Sequence, residues 1–227
     1  MIISIHQPQY LPWIPYFSKI ANSDVFVFLD DVQFQKNGLQ NRNQIKNSTG
    51  KQWLTVPVSV KLGDKINSIK IADNKWRKKH IKTIENNYLR SKNFNFFNDF
   101  IKNIILFSDS SLSSLNIQLI ETVCIDYFKL NTQFAMQSEI KTIGNGSELI
   151  LNICKSLGAK KYLSGPGAKN YLVEKDFYEN DIDIIYQDNA LPLNYPQQFK
   201  ELGFFNDLSV LDFILNVPTD SKEYFSL

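Results

Sequence analysis

Met1-Ile2-Ile3-Ser4-Ile5-His6-Gln7-Pro8 opens the chain, and Gln9-Tyr10-Leu11-Pro12-Trp13 follows it. An apolar run that ends on His-Gln-Pro is a strand with a fixed stop, because proline has no ladder donor and sets its own φ. The stop delivers His6, one of only two histidines among 227 residues, to a strand's carboxyl end. Residues 12–21 read as a short helix with proline near its start, where proline is tolerated. Residues 25–29 form a continuous apolar run ending in Asp30-Asp31, a second buried strand. Strand, helix and strand within about 30 residues is the size of a βαβ unit, which favours parallel pairing and a right-handed crossover. The expected fold class is therefore α/β, with a central, mostly parallel sheet of Rossmann-like type and helices around it. Ligands of open α/β sheets sit beyond the carboxyl ends of the strands. His6 is a candidate by position alone.

Working outward, residues 52–60 and 67–71 alternate β-formers and predict a small antiparallel excursion across the turn at 62–65. Apolar spacing predicts helices over 76–89, 94–107 and 112–130, a helical subregion at about 75–130. Residues 134–137 read as a short strand. A helix follows Gly144-Asn145-Gly146 through Leu157 and stops at Gly158, the usual place for a left-handed residue. Strands are expected at 162–164 and 182–187, with a helix at 168–172 between them. No repeat, linker or low-complexity block divides the chain, so a single domain over 1–227 is expected.

Composition narrows the function classes. The 25 basic and 23 acidic residues nearly cancel, leaving a formal charge of +2 and no global pull toward nucleic acid. No apolar run reaches the roughly 20 residues of a membrane span, and no secretory signal is legible, so a cytoplasmic protein without membrane insertion is expected. Cys124 and Cys154 lie in apolar helical patterns without metal spacing and read as buried thiols. No metal site is expected from the cysteines or histidines. The composition leaves room for a homo-oligomer.

Four segments carry candidate chemistry. Asp30-Asp31 ends the second strand at the same edge as His6. A histidine beside a carboxylate has a fixed tautomer and raised basicity, which suits a general base. Two strand-end carboxylates are equally suited to Mg²⁺, or to a plain surface turn. Asn41-Arg42-Asn43, preceded by Gln33, Gln35, Lys36 and Gln40, offers amides and a guanidinium to hydroxyls or phosphates; a solvated loop has the same composition. Trp76-Arg77-Lys78-Lys79-His80 places positive charge in the first turns of a helix, against the macrodipole. An anion partner or simple solvation accounts for it, and His80 is a second candidate base. Ser164-Gly165-Pro166-Gly167 is a strand-to-helix turn whose amides suit an anion, although it lacks both the dinucleotide fingerprint and a P-loop; a tight turn that needs positive φ has the same composition. Gln7, Tyr10, Trp13 and Tyr16 flank His6 as pocket walls or core.

In combination these segments resemble the WbqC-like family of bacterial proteins, found among genes for surface polysaccharide (O-antigen) assembly. The matching residues are Ile5-His6-Gln7-Pro8-Gln9-Tyr10-Leu11-Pro12-Trp13, the run from Asp24 through Asp30-Asp31 to Gln33, Asn41-Arg42-Asn43, Trp53-Leu54-Thr55-Val56-Pro57-Val58, Trp76-Arg77-Lys78-Lys79-His80, and Tyr162-Leu163-Ser164-Gly165-Pro166-Gly167. The resemblance implies a transferase that moves an acyl or aminoacyl group, such as glycyl, onto the amine of a nucleotide-linked amino sugar. The donor would be a thioester of coenzyme A or of a carrier protein. Under that reading His6, oriented by Asp30, is the base, with His80 as a second choice. Gln7, Tyr10, Asp31, Asn41, Arg42, Asn43, Lys79, Ser164, Gly165 and Gly167 bind substrate. The opening also resembles the nucleotidyltransferase fold and its His-x-Gly-His motif. Pro8 stands here in place of the glycine and Gln9 in place of the second histidine. An ATP-using nucleotidyl transferase or ligase is the alternative, and a non-catalytic sugar-nucleotide binding protein is a third.

Overall fold

The computed structural model describes residues 1–187 and 194–217. Strand β1 (Ile2–His6), helix α1 (Ile14–Ala21) and strand β2 (Val25–Phe28) form the opening unit, and β1 and β2 pair in parallel with His6 opposite Phe28. Later in the chain come β7 (Gln133–Met136), β8 (Lys161–Ser164) and β9 (Asp183–Tyr186). The five strands make one parallel sheet in the order β7-β2-β1-β8-β9. From the central β1 the chain winds outward through β2 to β7, then returns across β1 to β8 and β9. The connections diverge at β1 and β8, the topology at which open α/β sheets bind ligands outside the carboxyl ends of their strands.

Alternation along the strands builds two cores. Ile3, Ile5, Val25 and Val27 pack with α7 (Gly146–Ser156) through Leu149, Ile150 and Ile153, and with Phe177 of α8 (Glu174–Tyr178). Phe26 and Phe28 face the other way, toward Tyr16 and Phe17 of α1 and the helical middle of the chain. Ser4 lies among these apolar groups fully buried and is satisfied by the Ser23 hydroxyl at 2.6 Å. Gly158 has φ +69, the left-handed stop expected after α7. Both Cys124 and Cys154 are fully buried, and burial pushes the Cys154 thiol up to about 12.

The middle of the chain differs in detail from the expectation. Residues 42–47, for which the sequence predicts no regular element, are strand β3 (Arg42–Asn47), which makes a hairpin with β4 (Gly50–Thr55). Its side chains are polar except Ile45, so hydropathy hides the alternation; Asn43 and Lys46 are nonetheless buried. The excursion is reduced to the short pair β5 (Val58–Ser59) and β6 (Lys70–Ile71). Helix α2 (Lys75–Tyr88) is as expected. The next two helices each contain a π turn: Phe97–Ile101 between α3 (Phe94–Phe96) and α4 (Lys102–Phe107), and Val123–Tyr127 after α5 (Leu112–Thr122). The expected helix at 168–172 is a 3₁₀ turn, Pro166–Asn170. After β7 comes the one-turn α6 (Gln137–Ile140). Helix α9 (Val210–Asn216) had no sequence signal, because all seven residues are buried and no polar face marks it.

Candidate active site

The segment from His6 to Trp13 leaves the sheet edge and is held by the helix that follows it and by three distant parts of the chain. The Gln7 carbonyl accepts from the Tyr16 hydroxyl at 3.1 Å, and the Pro8 carbonyl from Asn116 at 3.2 Å. The Leu11 carbonyl accepts from Asn43 at 2.7 Å, and the Pro12 carbonyl from the Val210 amide at 2.8 Å. Leu11 is held at φ +46, a left-handed conformation that is rare for a bulky residue and persists only where its surroundings impose it. The result is a pinned loop with His6 at its start and Tyr10 within it.

His6 stacks on Tyr16 with ring centres 4.8 Å apart. Its Nδ1 is buried and has no hydrogen-bond partner among the described residues. Burial, and secondly the Lys19 charge, hold the imidazole well below its usual pKa. At neutral pH it is therefore uncharged, the form able to accept a proton. Lys19, near the end of α1, is 4 % exposed; its Nζ donates to the Ile5 carbonyl at 3.3 Å, and burial lowers the ammonium to about 7. Sequence reasoning passed over Lys19, although a lone lysine in Ile14-Pro15-Tyr16-Phe17-Ser18-Lys19-Ile20-Ala21 was a legible signal.

The expected His6–Asp30 pair does not form. Asp30 is buried, and its two oxygens accept from the Ser138 amide at 2.9 Å and the Ser138 hydroxyl at 2.7 Å. A carboxylate placed at the start of α6 satisfies free helix amides, the ordinary use of an acidic group there. Asp31 pairs with Lys65 at 2.7 Å and Asn67 at 3.0 Å, and Lys65 holds its carboxyl below the usual range. Both aspartates are thus committed to protein donors. Among the described residues, no group of three or more His, Cys, Asp and Glu side chains is placed to hold a metal.

Ser164 ends β8, next to β1, and is buried, and Gly165 and Gly167 follow it at the same edge. Gly165 has φ −74 and neither glycine lies in the left-handed region, so backbone conformation does not require glycine here. A Cβ at either position would meet nothing within 4 Å. The open space above this turn adjoins the point where the connections diverge.

The remaining predicted residues serve other ends. Gln7 Oε1 accepts from Gln40 at 2.7 Å. Asn41 donates to the Val56 carbonyl at 2.9 Å and Asn43 to Leu11, so these amides clamp backbone. Arg42 donates to the Asn37 carbonyl and stacks over Trp53, 4.4 Å from the ring centre. Arg77 is buried and donates to the carbonyls of Ile105, Ser108 and Asp109, capping the end of α4. Its charge opposes the dipole of its own helix yet complements that of another. Tyr10 is fully buried, and its hydroxyl lies 3.0 Å from His80 Nδ1. His80 is buried and also meets the Thr55 backbone; burial lowers it to about 4. His80 therefore acts as a strut between the pinned loop and β4. Lys79 is exposed and lines a cavity of about 350 Å³ beside it. The structure thus brings His6, Gln7, Ser164, Gly165 and Gly167 to one sheet edge, and groups Arg42, Lys79 and His80 around the β3–β4 hairpin and α2.

Among the described residues no helix is long and apolar enough to cross a membrane. No solved structure matches the chain. A curated protein of Mycobacterium tuberculosis, named "Uncharacterized protein Rv1507c", is 34% identical over 225 residues, covering 98% of this chain and 96% of its own length. The profile of the WbqC-like protein family matches residues 7–224, a span that includes the pinned loop from Gln7 onward, His80 and the glycine turn, and begins one residue after His6. The chain belongs to the WbqC-like protein family.

Proposed function

We propose that this protein transfers an acyl or aminoacyl group, such as glycyl, from a thioester to the amine of a nucleotide-linked amino sugar in surface polysaccharide biosynthesis. The observation that carries the reading is an uncharged imidazole, His6, at the carboxyl edge of a parallel sheet where the connections diverge. A sheet of this order is Rossmann-like, and its crevice suits the nucleotide-bearing partner. The space over Gly165 and Gly167 gives such a ligand a place to lie against backbone. In the reaction the amine nitrogen attacks the thioester carbonyl, the C–N bond forms and the C–S bond breaks. His6 takes the proton that the nitrogen sheds and returns it to the departing thiolate. Tyr16, stacked on the ring, and the pinned loop fix the imidazole in place of the expected aspartate. Donors and acceptors of this class are cytoplasmic, and the proposal carries that location with it.

The ATP-using alternative keeps one supporting observation, the placement of a histidine turn directly between β1 and α1. Incubation with UDP-linked amino sugars and acyl-CoA donors, read by product mass and thiol release, separates the two. The proposal expects an acylated sugar nucleotide and equimolar thiol, with His6→Ala lowering turnover roughly 10²–10⁴-fold while the fold survives. Unchanged turnover in His6→Ala, a sugar nucleotide that binds without reacting with any donor, or turnover that needs ATP and Mg²⁺ instead, contradicts it.

A further inference from the structure

We propose that the groove between β4 and α2 binds an acidic monosaccharide, a pyranose ring bearing one carboxylate. Trp53 and Trp76, Lys75 and Lys79, and Asp73 and Thr55 line its roughly 350 Å³. Ligand pockets span about 300–1,000 Å³, so this one suits a single sugar ring better than a whole nucleotide sugar. Trp53 is 45 % exposed although it lies in a strand, while the Arg42 guanidinium braces its ring from 4.4 Å. A large apolar ring kept open to a cavity and stiffened from beneath is a platform for the C–H face of a pyranose.

Trp76 supplies the second observation. It is 4 % exposed, and its buried indole Nε1 has no acceptor among the described residues. Buried donors are nearly always paired, and an indole N–H that lacks a protein acceptor invites one from a ligand. A sugar hydroxyl is such an acceptor. The rim mixes donors (Lys75, Lys79) with an acceptor (Asp73) and a hydroxyl that is both (Thr55), which matches hydroxyl groups better than the fixed edges of a nucleobase. Two ammonium groups against one carboxylate leave one positive charge at the rim, complemented by one carboxylate on the ligand. His80, in the same lining, is uncharged at neutral pH and does not alter that balance. The inference is independent of the acyl-transfer reading, since it concerns a different place in the fold.

Titration of the ¹⁵N-labelled protein with D-glucuronate, D-glucose and uridine, read at the three tryptophan indole signals, tests it. The expected result is a saturable shift of Trp53 and Trp76 with glucuronate, Trp13 unmoved, and a Kd on the order of 1 mM, ordinary for a ligand of this size. Trp53→Ala should abolish the response, and Lys79→Gln should remove the preference for glucuronate over glucose. Lys79 is exposed, so that variant keeps the test valid if Trp53→Ala does not fold. No saturable shift at the two indoles, an equal response to uridine, binding that survives Trp53→Ala, or a glucuronate preference that survives Lys79→Gln would overturn the proposal.

Discussion

Replacing Lys19 with methionine should make the protein more stable, and by an amount that depends on pH in a calculable way. The side chain is 4 % exposed, has one long hydrogen bond to the Ile5 carbonyl and, among the described residues, no carboxylate partner. Burial lowers its pKa from 10.5 to about 7. Between those values the unfolded chain binds a proton that the folded protein does not, so stability rises as pH rises from about 7 toward 10.5. At 1.36 kcal/mol per pKa unit, the lysine costs about 5 kcal/mol at pH 6 and about 2 kcal/mol at pH 9. Methionine has a similar shape and no charge, and loses only the Ile5 bond, worth about 1 kcal/mol. Urea unfolding at the two pH values should show Lys19→Met ahead of the parent by several kcal/mol at pH 6, with most of that lead gone at pH 9. Equal stability at pH 6, or a lead that grows with pH, would refute the reasoning. A buried amine kept at such cost beside His6 is what a site residue looks like: local stability is given up for function.

Two further substitutions separate scaffold from site. Gly165→Ala adds a methyl group to open space at ordinary φ, so stability should stay within about 0.5 kcal/mol of the parent, while affinity for a nucleotide-linked amino sugar falls on the order of tenfold or more. Loss of stability with binding intact would show that the glycine serves the fold. Asn116→Leu strands the carbonyls of Pro8 and Gln40. It should cost about 2–4 kcal/mol in urea unfolding, and a change under about 0.5 kcal/mol would show that the loop is held by other means.

The parallel sheet was legible because its three inner strands are buried on both faces and read as short apolar runs with hard stops: Pro8 after β1, Asp30 after β2, Gly165 after β8. The hairpin strand β3 was not. Arg42, Asn43, Gln44 and Lys46 carry no hydropathic period, and only the structure shows Asn43 and Lys46 buried against backbone carbonyls. The same blindness shaped the site. Amides and arginines look alike in sequence whether they face a ligand or clamp a loop, and Asn41, Asn43 and Arg77 are clamps. Asp30 was placed at the right edge, but its partner, Ser138, lies 108 residues away and no local pattern links them. Strand order, set by contacts between β1 and β8, is likewise a long-range property.

The central claim is that the ligand site lies at the carboxyl edge of β1 and β8 around His6. With only two histidines in the chain, ring NMR of His6 and His80 during titration with a UDP-linked amino sugar tests it directly. The claim predicts a saturable shift of the His6 ring that Gly165→Ala weakens. Saturable binding that leaves the His6 ring unmoved would contradict it.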